Sequence, residues 1–531
     1  MSPDRPTSNL RRYLSLALLA GLLLAPSLAW AIGMMAAVAI ARAVGPGLRW
    51  LAKRREARTG RALERSSVLL GRDPAGRAVH LSDGQLAAHA LILGASGSGK
   101  TTTLLSILRD QVARGNPVVA IDMKGSPAFA KTLGQAAASA GRELRIWTPD
   151  GACHWNPLAH GNATALKDKL ISTERFTEPH FMRAAERYVQ TVLQVLHAAH
   201  PERAATLEEV VSLMEPRRLA TRLRDVPPTL RDRVQDYLGG LTPDQLSAAR
   251  GLGTRLAVLS ESTAGAYLAP GPPSQTIDLR RALEGDQVVL FSLNSSVYGN
   301  LAAQLGALAI QDLTTASGQR LERLGPGARP ATVAIDEFSA LGADHVLALF
   351  ARGREAGTSV LAATQELADL ERAGRGFGEQ VLGITGVKVI HRQEVPGSAL
   401  TLAQMIGTEW RWEETQQLPR MFARAGASRG TRHPAERFLI DPNEIKTLRT
   451  GHAVLLTRMP STQVTRVRVA PPALGPPPPA PPTAPPPTQV PPAAPPSFRL
   501  PAQAPPTRSP PSGRSPRGRA GPDHPAPGVT R

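Results

Sequence analysis

The chain contains a single cysteine, Cys153, in 531 residues. That excludes an intramolecular disulfide, and no Cys/His cluster has metal-ligand spacing, so a reducing compartment fits. Aromatic residues are also scarce at 4%, which excludes nucleic-acid binding through rows of base-stacking rings. A charged channel touching a phosphate backbone is the mode that remains. Acids are outnumbered, 43 Asp+Glu against 62 Lys+Arg, for a formal charge of +19. Such an excess suits a polyanionic partner or an anionic lipid surface and carries no information about fold. Part of it lies in Arg42–Arg65 and in the C-terminal tail, so the folded part is less basic than the total.

Charge is missing altogether from Tyr13 to Ala41, 29 residues, more than the roughly 20 needed to cross a bilayer as a helix. The run imitates a secretory signal peptide. The basic flank Arg42, Arg49, Lys53, Arg54, Arg55 and Arg58 is denser than Arg5, Arg11 and Arg12, which predicts that the C-terminal side stays inside. Pro26 fits the turn of a hairpin, so one and two passes both remain open. The tail from Pro471 to Arg531 holds 24 of the 49 prolines, six arginines and one acid, Asp523. It cannot form a packed core and is expected to be an extended, disordered basic segment.

Gly94-Ala95-Ser96-Gly97-Ser98-Gly99-Lys100-Thr101 fills every position of the G-x-x-x-x-G-K-[ST] phosphate-binding loop. Ala90–Leu93 before it reads as a buried strand. Leu104, Leu105, Leu108 and Val112 after it recur at helical spacing until Gly115-Asn116-Pro117. In that context the glycines turn backbone N–H groups toward nucleotide phosphates and the helix N-terminus adds positive potential. Lys100 is placed to reach the β- and γ-phosphates, Thr101 to ligate Mg²⁺, and Thr102 to continue the cradle.

Ala331–Glu337 reads as an apolar strand ending in two carboxylates. Asp336 is expected to hold Mg²⁺ and Glu337 to polarise the attacking water, which favours hydrolysis of ATP over transfer to a small acceptor. Thr358–Ala363 reads as a further strand, tipped by Thr364-Gln365, with Gln365 as the candidate sensor of the γ-phosphate. Arg352 and Arg354 are candidates for arginines acting across a subunit interface.

Strand patterns at Val118–Ile121, Leu144–Trp147, Val288–Leu293, Thr332–Ile335, Ser359–Ala363, Val387–Ile390 and Ala453–Leu456 alternate with helical stretches. Together they predict an α/β fold with a parallel sheet covered on both faces. From about 162 to 275 the strand signal disappears. Phe181, Ala185, Tyr188, Val192 and Val195 mark an amphipathic helix, and capping boxes stand at Thr206…Glu209 and Thr242…Gln245. The expected organisation is a basic segment 1–12, membrane segment(s) 13–50, a basic juxtamembrane linker 51–79, an ATPase domain 80–160 and 276–470, an inserted all-α domain 161–275, and the tail 471–531. A kinase or small GTPase is not expected to carry such an insertion.

This combination resembles the type IV coupling proteins of conjugation and type IV secretion, the TraD/TraG family. Gly94–Thr103 looks like that family's P-loop, Ile121-Asp122-Met123-Lys124-Gly125 like its D-x-K-G turn, and Trp155-Asn156-Pro157-Leu158 like its N-P-L turn. Asp336–Gly342 looks like its Walker B extension; Arg354-Glu355-Ala356-Gly357 and Thr364-Gln365 are similar to the R-x-x-G and Q elements. The resemblance implies a RecA-like P-loop ATPase domain with an inserted all-α domain, an N-terminal membrane anchor at the bacterial inner membrane and a cytoplasmic ATPase. It implies ATP and Mg²⁺ as cofactors, Lys100, Glu337, Gln365 and Arg354 as catalytic residues, and assembly as a homo-hexamer. The implied partners are DNA, single-stranded by expectation, and relaxase or relaxosome proteins. The membrane segment departs from the family in leaving no room for a sizeable periplasmic domain. Two other classes stay open: a double-stranded DNA translocase of the FtsK/HerA kind, and a membrane adaptor for protein substrates switched by nucleotide.

Overall fold

The structure is a computed structural model, and it describes residues 66–173, 176, 178–285, 287–324, 329–416 and 430–471. The expected membrane segment 13–50 and the tail from 472 onward lie outside the described residues. Among the described residues no helix is long and apolar enough to cross a membrane.

Among the described residues fifteen strands follow in chain order: β1 Ser67–Arg72, β2 Ala78–Ser82, β3 Ala90–Leu93, β4 Val118–Asp122, β5 Glu143–Trp147, β6 His154–Trp155, β7 Thr276–Ile277, β8 Gln287–Ser292, β9 Ala331–Asp336, β10 Thr358–Thr364, β11 Val387–Ile390, β12 Thr408–Gln416, β13 Gly430–Phe438, β14 His452–Thr457 and β15 Gln463–Val469. Eleven of them form one sheet in the order β2-β1-β15-β14-β11-β3-β10-β9-β4-β8-β5. From β11 to β5 every pairing is parallel. Strands β3, β4, β9, β10 and β11 are buried along their whole length, as continuous apolar strands in a two-face-covered parallel sheet must be. Helices Lys100–Ala113 and Pro127–Ser139 cover one face. Helices Ser295–Leu324, Ala343–Glu355 and Phe377–Ile384 cover the other.

The expected parallel sheet is present, but its strand Ala453–Leu456 is corrected to antiparallel, at one edge. β14, β15, β1 and β2 add on antiparallel. Residues 67–79, expected within the linker, therefore belong to the sheet as β1 and the opening of β2. β1 is exposed at Leu69 and Arg72 and β2 buries Leu81 alone, so this edge is partly solvent-facing, unlike the buried parallel strands, and it lies beside a basic run that conceals it in the sequence.

Between β6 and β7 the chain is helical. Helices Ala163–Ser172, Pro179–Ala199, Leu207–Leu213, Pro216–Arg222, Pro228–Gly239 and Pro243–Ser260 follow one another. Thr206 and Thr242 each form a complete capping box, with Glu209 and Gln245 respectively. β6 and β7 pair in parallel, His154 with Thr276 and Trp155 with Ile277, so this helical region leaves and re-enters the sheet at one neck. The neck is tied down by a buried polar cluster. Lys169 Nζ lies 2.7 Å from Asp312 Oδ1 and donates to the Pro157 carbonyl at 2.6 Å. Trp155 Nε1 donates to Asp312 Oδ2 at 2.9 Å. Removing one member leaves a buried charge unpaired, which costs about 3–5 kcal/mol. Lys169→Met should therefore lower the unfolding free energy of the purified protein by about that amount in chemical denaturation, whereas Lys169→Met with Asp312→Leu should recover most of it. Equal losses in the single and double variants would show that the pair does not hold the neck.

Candidate functional site

Parallel strands present their C-terminal ends on one side, where loops converge. β10 lies between β3 and β9, with Thr364 opposite Leu93 and Ala363 opposite Asp336. The loop Gly94–Gly99, the pair Asp336-Glu337 and Thr364-Gln365 therefore meet at one edge of the sheet. The loop is held from below: Gly94 N–H donates to the carbonyls of Thr364 and Gln365, and Ala95 N–H to that of Arg392 at 2.7 Å. A Cβ at Gly94 would sit 2.4 Å from Ser98 Oγ and 2.5 Å from His391 Cβ. Gly99, with φ +116, caps the helix that starts at Lys100 and packs on Gly451. Gly451 N–H donates to the Ser98 carbonyl at 2.9 Å, so the turn before β14 also braces the loop.

Ala95 and Ser98 are buried, whereas Ser96 and Gly97 face solvent. Their N–H groups donate to no partner among the described residues, as a loop built to receive an anion requires. Lys100 is buried and donates to the carbonyls of Gly94 and Ala95. Burial pulls its ammonium below the usual lysine range, against the nearby charge of Glu337 and in step with that of Lys124. Thr102 is half-buried on the first turn of the same helix. Under the loop lies His391, fully buried, with Nε2 2.9 Å from Thr103 Oγ1 and Nδ1 3.0 Å from the His452 carbonyl.

Thr101 Oγ1 donates to Asp336 Oδ2 at 3.0 Å, joining the first helical turn to the end of β9. Asp336 is buried, and among the described residues its Oδ1 has no hydrogen-bond partner. Burial pushes its carboxyl above the usual range, with the Thr101 hydrogen bond acting the other way. An orphaned carboxylate oxygen beside a threonine hydroxyl at the foot of an anion loop fits a hard divalent cation such as Mg²⁺, which takes oxygen ligands together with phosphate. Glu337 follows with φ +60, a left-handed conformation unusual for a residue with a side chain. Its Oε1 lies 2.5 Å from Lys124 Nζ and accepts from Gln365 Nε2 at 3.1 Å.

Arg352 and Arg354 are not brought to this site. They lie exposed on the last turn of helix Ala343–Glu355, where Gly353 packs on Thr358 and His89. His89 precedes β3 and the phosphate loop follows it, so the arginines sit at the other end of the strand, about 16 Å away for five residues.

Residues 77–229 match the family model described as the type IV secretion-system coupling protein DNA-binding domain. Residues 330–450 match the model described as the TraM recognition site of TraD and TraG. The chain belongs to the type IV coupling proteins. Among solved structures it is similar to the bacterial conjugative coupling protein TrwBdeltaN70 in its unbound form. That match has 16% identity and a TM-score of 0.55 over 76% of this chain and 88% of the other. It is similar too to plasmid coupling protein TrwB in complex with ADP and Mg²⁺, at 17% identity and a TM-score of 0.53 over 76% and 89%. A third, TrwB in complex with the GTP analogue GDPNP, has 16% identity and a TM-score of 0.53 over 73% and 87%. No curated protein matches the chain.

In this coupling protein the sequence motifs name most of the side chains at the strand ends but not Lys124's contact with Glu337 or the buried His391. Lys124 stands in the D-x-K-G turn, which was the available signal; His391 follows an apolar strand with nothing to mark it.

Two buried histidines set a pH dependence. Burial drives His391 down to about 4, helped by the charge of Lys100 and opposed by the His452 carbonyl. His89, whose Nδ1 accepts from Val360 N–H and whose Nε2 faces the Phe350 carbonyl, is likewise driven by burial to about 4. Above the unfolded value near 6.5 neither state is protonated and full stability is present. As pH falls toward 4 only the unfolded chain takes up these protons, so stability is lost by up to about 3 kcal/mol per histidine. Denaturation midpoints at pH 7 and pH 4.5 should differ accordingly, and His391→Gln should remove about half of the histidine-linked slope. An unchanged slope in that variant would place the proton uptake elsewhere.

Proposed function

We propose that this protein is a membrane-anchored, ATP-hydrolysing coupling protein that recruits DNA, or a nucleoprotein substrate, and pumps it in conjugation or type IV secretion. One observation carries the reading: Thr101, the orphaned Asp336 oxygen and Glu337 converge on a phosphate loop at the ends of three adjacent parallel strands. In this reading Lys100 and the loop N–H groups bind the β- and γ-phosphates of ATP. Thr101 and Asp336 would hold Mg²⁺, which would supply positive charge beside the phosphate oxygens. Glu337 orients and deprotonates the attacking water, and Gln365, bonded to it, reports on the γ-phosphate. That TrwB is known in complex with ADP and Mg²⁺ supports the choice of ligand.

Residues 13–50 are read as the anchor in the bacterial inner membrane, with the ATPase in the cytoplasm. Subunits are read as a hexameric ring in which Arg354, or Arg352, reaches a neighbour's nucleotide. Relaxosome proteins are read as partners through 330–450, the part matching the TraM recognition model.

Steady-state ATPase assays with no DNA, single-stranded DNA and double-stranded DNA test this function. Turnover should rise several-fold with DNA, single-stranded most. Lys100→Ala should abolish turnover, and Glu337→Gln should keep nucleotide affinity while lowering turnover 100-fold or more. Mixing Lys100→Ala with Arg354→Ala subunits should restore part of the activity. A rate indifferent to DNA would overturn the pump, and double-strand preference would favour the FtsK/HerA kind. DNA affinity should fall with salt at a log–log slope of about −0.7 per contacted phosphate of a single strand.

A further inference from the structure

The turn Ile121–Gly125 brings Lys124 to Glu337. We propose that Lys124 is a positioning residue for Glu337, clamping its carboxylate jointly with Gln365 so that one oxygen is held and the other faces the reacting water. This deepens the hydrolysis reading and rests on it for its consequence, though not for its geometry.

β9, which ends at Glu337, lies between β4 and β10. Lys124 leaves the end of β4 and Gln365 the end of β10, so the carboxylate is gripped from both neighbouring strands. Both grips fall on Oε1, at 2.5 Å from Lys124 Nζ and 3.1 Å from Gln365 Nε2. Among the described residues no hydrogen bond reaches Oε2, which leaves it for the water. The residue so held sits at φ +60, where the local backbone gives no help in fixing a long side chain. A catalytic carboxylate free to choose among rotamers would spend most of its time misaimed, and small misplacements are costly in rate.

Lys124 is itself held. Its N–H donates to Asp122 Oδ1 at 2.9 Å, and Ser126 N–H donates to Oδ2 of the same buried carboxylate at 2.6 Å. Gly125 has φ +65, and a Cβ there would lie 2.6 Å from Asn294 Cβ. Leu293 N–H donates to the Asp122 carbonyl at 2.9 Å and Ser295 N–H to that of Met123 at 2.7 Å. The exit of β8 therefore braces the turn. Burial pulls the Lys124 ammonium down, but its hydrogen bond to Glu337 and the charges of Glu337, Asp336 and Asp122 outweigh that and raise it. It remains charged at neutral pH.

An ordinary surface ion pair would be nearly dispensable, and an ammonium acting as a brake would speed hydrolysis when removed. In the full-length protein Lys124→Ala should lower kcat about 10- to 100-fold while a fluorescent ADP analogue binds within about two-fold of wild type. Lys124→Arg should recover part of the rate. Lys124→Ala with Glu337→Gln should be no slower than Glu337→Gln alone. Melting temperatures of the three variants without nucleotide give a reading independent of activity, and their shifts should be non-additive, as for side chains in contact. Unchanged or faster turnover, or additive Tm shifts, would overturn the clamp. A wild-type protein that hydrolyses no ATP would overturn instead the reading beneath it, with the non-additive Tm shifts still expected.

Discussion

The register of β10 between β3 and β9 is the constraint on which the site depends. Thr364 lies opposite Leu93, and Ala363 opposite Asp336. Slipping β10 by one residue would turn its side chains to the opposite faces of the sheet and carry Gln365 away from Glu337. Because β3, β9 and β10 are buried on both faces, such a slip would also have to repack two cores. The precision at the strand ends is thus imposed by apolar residues that take no part in any chemistry.

What those cores support is locally unfavourable. Asp336 Oδ1, Ser98 Oγ and Thr364 Oγ1 are buried without hydrogen-bond partners among the described residues, and Glu337 adopts a left-handed backbone. Each such feature costs on the order of 1–3 kcal/mol. Their gathering at one end of three strands is what a site selected for charge placement, rather than for stability, looks like. Asp122 supplies the contrast. Also buried on a strand end, it spends both oxygens on backbone N–H groups of its own turn and so belongs to the scaffold that aims Lys124.

Legibility in the sequence followed the range of the interactions. The phosphate loop, the Asp336-Glu337 strand and the strand before Gln365 were readable because each is a short contiguous run whose burial pattern is written in adjacent residues. The capping boxes at Thr206 and Thr242 were readable for the same reason, being closed within four residues. β1, β2 and β15 were not: the pairing that joins this edge to the sheet sets Gly71 against Val469, nearly 400 positions away, and the local hairpin of β1 with β2 has its register shifted between Leu69 and Gly71, which breaks the alternation that would mark it. The ribbon β12–β13 was not readable either, because among the described residues its two strands pair with each other alone and leave Trp410 and Trp412 exposed; no buried alternation betrays them. Lys124 with Glu337 and Thr103 with His391 escaped because each contact spans more than 200 residues. A motif names the residue but not its neighbour.

The arginines extend the argument to assembly. Helix Ala343–Glu355 starts just beyond Glu337 and runs back along β10 to its beginning, delivering Arg352 and Arg354 to the far end of the sheet. There the helix is pinned from several sides: His89 Nε2 meets the Phe350 carbonyl, and the buried Arg320 donates to the Ala356 carbonyl at 2.5 Å. A pinned helix cannot swing its last turn about 16 Å to its own phosphate loop. If either arginine serves hydrolysis, the phosphate it reaches must lie on another copy of the chain. The same rigidity would then make the contact informative, because a shift of Glu337, β9 or the helix start would move the arginine presented to the neighbour. Hydrolysis in one subunit and the geometry of the next site would be joined through one packed helix rather than through a flexible loop.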